Sequence, residues 1–170
     1  MGLKGKILLA CCAAAILSGC IGPKVNVSRN PAGSQKDVAT IALMPSGGLL
    51  ADAVGVELLQ YGYNIIDTSQ VTGYMARYNL DEIELLLPKN IRRLSDDGID
   101  TVLIVRAVAG YDDRPESATS RLVSTSDGVV IVGASWQNGR AGAQGSPADG
   151  FARKNLSDAA HDIAEAIGEA

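Results

Sequence analysis

The sequence predicts a single three-layer α/β domain, in which helices pack on a mixed β-sheet and an amphipathic helix ends the chain. Two nearly continuous apolar runs, residues 38–44 and 101–108, are typical of strands that are covered on both faces. Residues 121–133 contain two short apolar runs around Ser126-Asp127-Gly128, which favours an antiparallel hairpin. Helical patterns separate and follow these strands, so we expect residues 37–170 to form the domain.

Residues 1–19 have the composition of a secretory signal peptide. Lys4 and Lys6 lie near its start, an apolar run occupies residues 7–17, and the small residues Ser18 and Gly19 close it. The run is shorter than the roughly 20 residues of a spanning helix, which disfavours a retained transmembrane anchor. The alternative that residues 1–19 form a buried N-terminal helix of a soluble protein is also disfavoured, because this segment contains Lys4 and Lys6. The sequence therefore predicts that residues 1–19 are removed during export.

Residues 20–36 connect this signal to the domain. From residue 21 onward they are rich in Gly, Pro, Asn and Ser and show no sustained periodicity, which predicts a flexible tether. Such a segment would span at most about 50–55 Å when extended, and about 20–25 Å as a coil.

The first half of the domain alternates strands and helices. After strand 38–44, Pro45 begins a break, and Leu50, Val54 and Leu58 then mark one face of a helix over 49–61. The next predicted elements are a strand at 63–66, a helix capped by Asp67, Thr68 or Ser69 and reaching Tyr78, and a helical pattern from Asp81 that is interrupted at Pro88 and resumes through Leu94.

The second half predicts a sheet edge and a closing helix. Its elements are strand 101–108, a polar loop at 111–117, hairpin strands at 121–125 and 129–133, and a loose loop at 138–150. In the last helix one stripe contains Leu156, Ala160, Ile163 and Ile167, and Gly168 is placed to end it.

Charge and cysteine content exclude several classes of function. The chain has a formal net charge of −4, and loss of Lys4 and Lys6 with the signal leaves the mature part near −6. An acidic body argues against nucleic-acid binding and against attraction to anionic lipid. Cys11 and Cys12 leave with the signal, so Cys20 alone remains and neither a disulfide nor a cysteine metal site is expected.

Three residue groups have types that occur in catalytic or anion sites. The turn at 45–48 precedes a helix, where backbone N–H groups can hold an anion, but no phosphate-binding pattern or lysine follows. His161 falls on the polar stripe of the last helix and is predicted to be a surface residue. The adjacent carboxylates at 96–97 and 112–113 are predicted to form a helix end and a solvated loop. The sequence therefore predicts no catalytic, cofactor-binding or metal-ligating residue, and no enzyme.

Aromatic residues and one buried-strand arginine raise the question of a binding surface. Tyr74 and Tyr78, four residues apart, are predicted to pack on the core with their hydroxyls at its rim, although an exposed aromatic patch stays open. Trp136 is predicted to cover an edge of the core. Arg106 interrupts the apolar strand predicted over 101–108. Either the end of this strand reaches the surface, or Arg106 pairs with an acidic side chain.

Residues 17–20, Leu-Ser-Gly-Cys, match the bacterial lipobox. This resemblance implies cleavage before Cys20, a diacylglyceryl thioether on its thiol, and acylation (commonly palmitate) of the new amine. Two or three chains give firm anchoring, because each buried methylene contributes about 0.8 kcal/mol. Ile21 follows instead of aspartate, which by resemblance to enterobacterial sorting implies the outer membrane, with the body facing the periplasm.

The order of motifs in the body also resembles a known family. These motifs are a strand ending in Leu43-Met44-Pro45, the segment 62–67 reading Gly-Tyr-Asn-Ile-Ile-Asp, the entry Gly98-Ile99-Asp100, and the hairpin followed by Trp136 and a terminal helix. They resemble the soluble domain shared by the curli-secretion lipoprotein CsgG, the peptidoglycan-synthase activator LpoB and the amino-terminal domain of TolB. Ser46 replaces the usual aromatic residue, and only the short segment 110–119 stands where CsgG has its pore-forming insertions.

Together these features predict a lipid-anchored envelope protein that binds other proteins. The resemblance implies an accessory module of an envelope machine, such as one for peptidoglycan synthesis or secretion, with a partner that the sequence does not identify. The alternative is a ring-forming subunit of a secretion channel, which leaves homo-oligomerisation open. A hydrolase or a small-ligand carrier is a third, less favoured alternative.

Overall fold

The structure is a computed structural model that describes residues 22–31 and 38–170. The predicted signal peptide and Cys20 lie outside the described residues. The strands are β1 (Lys24–Arg29), β2 (Thr40–Leu43), β3 (Asn64–Ile66), β4 (Thr101–Ala109), β5 (Pro115–Ser124) and β6 (Val130–Gln137). The helices are α1 (Gly48–Leu58), α2 (Thr68–Tyr78), α3 (Glu82–Leu85), α4 (Pro88–Asp96), α5 (Pro147–Ala152) and α6 (Leu156–Gly168), and 3₁₀ turns at Pro45–Gly47 and Leu59–Tyr61 flank α1.

The six described strands form one mixed sheet in the order β1-β6-β5-β4-β2-β3. β2 pairs with β3 and with β4 in parallel, and β4, β5, β6 and β1 pair successively antiparallel. The predicted α/β domain with a mixed sheet is confirmed. β4 is the longest parallel strand and continues beyond the end of β2, so its last residues pair with β5 alone.

The larger core lies between the sheet and the helices α1 and α6. Leu50, Val54 and Leu58 from α1 and Ile163 from α6 are buried against it, and so is Trp136. The inward strand residues are Ile41, Leu43, Leu103, Val105, Ala118, Leu122, Val132 and Trp136. The predicted apolar stripes of both helices are therefore the surfaces that they bury.

The smaller core lies on the other face of the sheet, under α2, α3 and α4. Val71, Leu85 and Leu94 pack there against strand residues that include Met44 and Ile104. Asp67 begins α2 by accepting a hydrogen bond from the backbone N–H of Gln70 at 2.8 Å, in a capping box. These helices cover β2, β3 and the first half of β4, which explains the continuous apolar sequences of β2 and β4.

The prediction of a flexible tether over residues 20–36 is wrong for residues 24–29. These residues form β1, which pairs with β6 in the register Lys24↔Gln137 to Arg29↔Val132. Val25 and Val27 alternate with polar residues, a period-2 pattern that sequence reasoning overlooked. Their β-branched side chains suit a strand, and the pairing protects the edge of β6.

Two loop predictions also need correction. β5 begins at Pro115, so the polar loop predicted for 111–117 is shorter and the strand predicted for 121–125 is longer. The start of β5 has polar residues because only one of its faces is covered there. The loop predicted over 138–150 contains the short helix α5, which begins with Ser146 capping the N–H of Asp149 at 3.2 Å.

Candidate interaction surface

The sheet is covered by helices on both faces only in its parallel half. Opposite α6, the side chains of β1, β6, β5 and the last part of β4 form a surface without a helix over it. We call this surface the open sheet face. Its members are Lys24, Asn26, Arg106, Val108, Ser117, Thr119, Arg121, Ser135 and Gln137, which are exposed or half-buried and follow from the strand register.

The open sheet face is cationic, although the chain as a whole is acidic. None of its nine residues is acidic, and within the described ranges Lys24, Arg106 and Arg121 make no ion pair. Arg106 pairs in register with Thr119, and Arg121 pairs with Ile104. The two arginines are therefore diagonal neighbours, with about 7–8 Å between their positions. Of the two predictions for Arg106, the exposed strand end is confirmed.

The opposite side of the domain is acidic. Glu57, Asp158, Glu165 and Glu169 lie on or just after α1 and α6, and we call this group the acidic helix side. His161 lies among them with its side chain 57% exposed, and its Nδ1 is 3.0 Å from Oε2 of Glu57. The predicted surface position of His161 is confirmed, and the contact joins α6 to α1.

The contact with Glu57 makes part of the stability depend on pH. The hydrogen bond with Glu57 raises the pKa of His161 above its ordinary value. The contribution of the pair is therefore fully present below the unfolded pKa near 6.5, and it is lost as the pH rises through the raised pKa. We expect Glu57→Gln to lower the free energy of unfolding by a small amount at pH 5.5 and by less at pH 8.5.

Urea unfolding at the two pH values measures this difference. Glu169→Gln removes an acidic charge from the same side of the domain but not the hydrogen bond to His161, and is the control. If Glu57→Gln lowered the free energy of unfolding equally at both pH values, the pH-dependent contribution of the His161–Glu57 contact would be contradicted.

Arg153 forms the most buried ionic cluster of the described residues. Its side chain is 2% exposed, and it bonds to Asp112 through Nε and Nη2 at 3.0 Å each and to Glu116 through Nη1 at 2.6 Å. Burial alone would lower the pKa of Arg153, but the bonds to both carboxylates outweigh it and raise the pKa. Burial alone would raise the pKa of Asp112, but its hydrogen bonds, chiefly to Arg153, outweigh burial and lower the pKa. The bonds to Arg153 and Arg140 lower the pKa of Glu116. Arg140 also bonds to Glu116.

A cleft of about 360 Å³ adjoins this cluster. Tyr111 forms part of its lining; its hydroxyl donates to Asp149 at 2.7 Å, and its ring lies 5.0 Å from the Arg153 guanidinium carbon. Arg114 donates from Nη1 to the carbonyls of Gly150 and Arg153. The charged groups of the cleft therefore satisfy one another, and their clear effect is to fix α5 and the segment 110–114 at the end of the sheet.

The remaining sequence-predicted residues have structural contacts. The backbone N–H of Ser46 donates to the carboxylate of Glu82 at 3.0 Å, so a side chain of this protein already takes the anion position of the 45–48 turn. The hydroxyl of Tyr78 donates to Asp97 at the end of α4. Tyr74 packs against the smaller core, which confirms the core interpretation for Tyr74.

Sequence reasoning missed the Arg153 cluster and the open sheet face. Arg153 lies between the loop predicted over 138–150 and the last predicted helix, and no local pattern pairs it with Asp112, 41 residues away. A signal for the open sheet face does exist. From Ser117 to Arg121, the longer or more exposed polar side chains alternate with the small residues Ala118 and Ser120, which are buried, as in a strand with one covered face.

Two general findings concern the described residues. No helix of the described residues is long and apolar enough to cross a membrane. Within the same residues, no group of three or more histidine, cysteine or acidic side chains is arranged to hold a metal ion.

Comparisons with known proteins give structural neighbours only. The sequence matches no established family and no curated protein. A PelC dodecamer from Paraburkholderia phytofirmans is 16% identical over 82% of this chain and 96% of its own, with a TM-score of 0.43. The L103M variant of the same PelC dodecamer is also 16% identical, over 83% of this chain and 97% of its own, with a TM-score of 0.44. Lipoprotein GNA1162 from Neisseria meningitidis is 17% identical over 66% of this chain and 87% of its own, with a TM-score of 0.49. These values carry no argument about function, and the resemblance to CsgG, LpoB and TolB stays a prediction.

Proposed function

We propose that this chain is a lipid-anchored accessory protein of a bacterial envelope, without catalytic activity of its own, whose open sheet face binds an acidic surface on another envelope protein. The observation that carries the proposal is the group of unpaired cations, Lys24, Arg106 and Arg121, on an uncovered sheet. In the antiparallel half of this sheet one face is covered by α6 and the other is free, an arrangement that antiparallel strands allow.

The chemistry of this face suits a protein partner. Eight of its nine named residues are polar or charged, so the open sheet face is compatible with water when no partner is bound. Arg106 and Arg121 lie side by side and make no ion pair within the described ranges, so a partner carboxylate could form a bidentate bond without first displacing an internal one. Charge complementarity of this type sets orientation and association rate.

The anchor and the location belong to the same proposal. The lipobox match at residues 17–20 supports a lipid on Cys20, and Ile21 supports the outer membrane with the body in the periplasm. A lipid concentrates the domain at one membrane, where even a weak contact through the open sheet face is effective.

The experiment is in-cell crosslinking and capture of the full lipidated chain with Arg106→Glu and Arg121→Glu combined. We expect at least a tenfold loss of the captured partner, because two attractive contacts become repulsive. Arg121→Glu alone should give a partial loss. Lys89→Glu is the matched control, because Lys89 is an exposed cation of α4 without an ion pair among the described residues.

Full capture by the double variant would overturn the binding face. Thermal unfolding must show that the variants remain folded. The anchor is tested separately with Cys20→Ala, and a Cys20→Ala protein that stays in the membrane fraction would refute the lipid anchor.

A second candidate is a ring-forming subunit, because one chain has both complementary surfaces. The cationic open sheet face and the acidic helix side lie on opposite faces of the sheet, so two copies can meet head to tail. Such contacts form a ring where the rotation between copies closes, and an open filament where it does not. The mass of the complex in mild detergent separates the candidates. A large homo-oligomer that Arg106→Glu and Arg121→Glu dissociate supports the ring, and one foreign protein per chain supports the accessory role.

A further inference from the structure

The pairing of β1 fixes which end of the domain is nearest to Cys20. Lys24 pairs with Gln137 at the last position of β6, where β5 begins and β4 ends. We call this the Lys24 end. Only residues 21–23 separate Cys20 from Lys24, so their Cα atoms can be at most about 14 Å apart. The turn between β5 and β6 lies at the other end of these strands, roughly 23 Å away, since each strand residue rises about 3.3 Å.

The Lys24 end carries the most exposed aromatic side chain of the described residues. Phe151 is 93% exposed and belongs to α5, which the contacts of Arg114 and Asp149 hold beside the segment 110–114. Two further apolar side chains lie at this end, Tyr111 at 49% and Val108 at 60% exposure. A single exposed apolar side chain is ordinary, but the grouping of Phe151, Tyr111 and Val108 at one end of the domain is typical of a surface that meets a membrane or a partner.

We propose that the Lys24 end lies against the bilayer that holds the Cys20 lipid, and that Phe151 enters the interfacial region of that bilayer. The proposal rests on the lipid anchor of the proposed function. The occupant is a lipid surface because the covalent link is so short that this end cannot move far from the headgroups, whereas Phe151 would need a separate partner to be covered by protein. Aromatic and aliphatic side chains of this kind lie at the headgroup boundary in peripheral membrane proteins.

This orientation also serves the open sheet face. With the Lys24 end on the membrane, the strands rise from the bilayer and the open sheet face stands to the side, accessible to a partner in the aqueous compartment. Phe151 then acts as a second contact that limits rotation of the domain about its lipid.

The test uses the full lipidated chain in phosphatidylethanolamine–phosphatidylglycerol vesicles. Phe151→Cys and Val129→Cys each introduce one thiol for an environment-sensitive fluorophore. Val129 is 40% exposed beside the β5–β6 turn, at the opposite end of the sheet, and is the matched control. Lipids with a spin label near the headgroup quench a fluorophore only at short range. We expect at least about twofold quenching at position 151 and almost none at position 129.

Failure of the proposed orientation and failure of the lipid anchor give different results in this experiment. Equal and weak quenching at both positions, in chains that float with the vesicles, would overturn the orientation while the anchor stands. A fluorophore at position 151 that is unquenched, but shifts to the blue as protein concentration rises, would also overturn it, because another protein chain would then cover this end. Labelling of the unsubstituted chain would reveal a free Cys20 thiol and would overturn the anchor together with this inference.

Discussion

Replacing Trp136 with alanine is expected to lower the free energy of unfolding by about 3–5 kcal/mol. The side chain is 1% exposed and packs in the core between the sheet and α6. Its Nε1–H donates to Oδ2 of Asp162 at 2.9 Å, and Lys154 contacts the same carboxylate. Alanine would leave a large cavity and remove the indole donor from Asp162.

Urea unfolding followed by circular dichroism measures this loss, because Trp136 is the chain's single tryptophan and cannot serve as a probe in the variant. Trp136→Phe keeps an aromatic ring in the core and is expected to lose about 1–2 kcal/mol, from smaller volume and the missing hydrogen bond. Val129→Ala at an exposed position should change stability by less than about 0.5 kcal/mol. A loss under about 1 kcal/mol for Trp136→Ala would contradict its place in the core.

Replacing Arg153 with methionine should cost about 2–3 kcal/mol. Removal of one partner from a buried ion pair commonly costs about 3–5 kcal/mol. The lower figure applies here because the carboxylates of Asp112 and Glu116 are 22% and 23% exposed and would be partly hydrated. Methionine fills similar space, so the loss reports the missing charge and hydrogen bonds more than a cavity.

The same variant predicts a pH dependence. Arg153 lowers the pKa of Asp112 and of Glu116 in the folded protein. Their contribution is present above the unfolded values and is lost as the pH falls through the lowered ones. The difference in free energy of unfolding between the unsubstituted chain and Arg153→Met should therefore become smaller below about pH 4. Arg140→Met is the control, since Arg140 is 63% exposed and its removal should cost at most about 1 kcal/mol. Equal losses for Arg140→Met and Arg153→Met would contradict the buried role of Arg153.

These predictions also bear on the proposed orientation. Asp112, Arg114 and Arg153 together hold α5 and the segment 110–114 at the Lys24 end. If Arg153→Met remains folded, α5 should be held less firmly at the Lys24 end, and the position of residue 151 relative to the bilayer should vary more. The quenching of the fluorophore at position 151 in the vesicle experiment measures this change.

Several elements could be predicted because their signals are local. Val102 to Val105 are apolar without interruption since both faces of β4 are covered there, and α6 shows its buried stripe because a helix repeats every 3.6 residues. Asp67 could be named among three cap candidates, but only the backbone geometry selects it. The misjudged segments are those where a strand has one exposed face, as in β1 and the start of β5. Their polar residues resemble loop residues unless the period-2 alternation is weighed.

The sequence by itself determined the class of the domain, its main helices, its acidic charge and the predicted lipid site at Cys20, because each depends on neighbouring residues. Only the tertiary structure decided that β1 pairs with β6, that Arg153 meets Asp112 and Glu116, and that Arg106 and Arg121 share an uncovered face. Those relations join residues far apart in the chain. They depend on strand order and register, which local periodicity does not encode because many pairings satisfy the same apolar pattern.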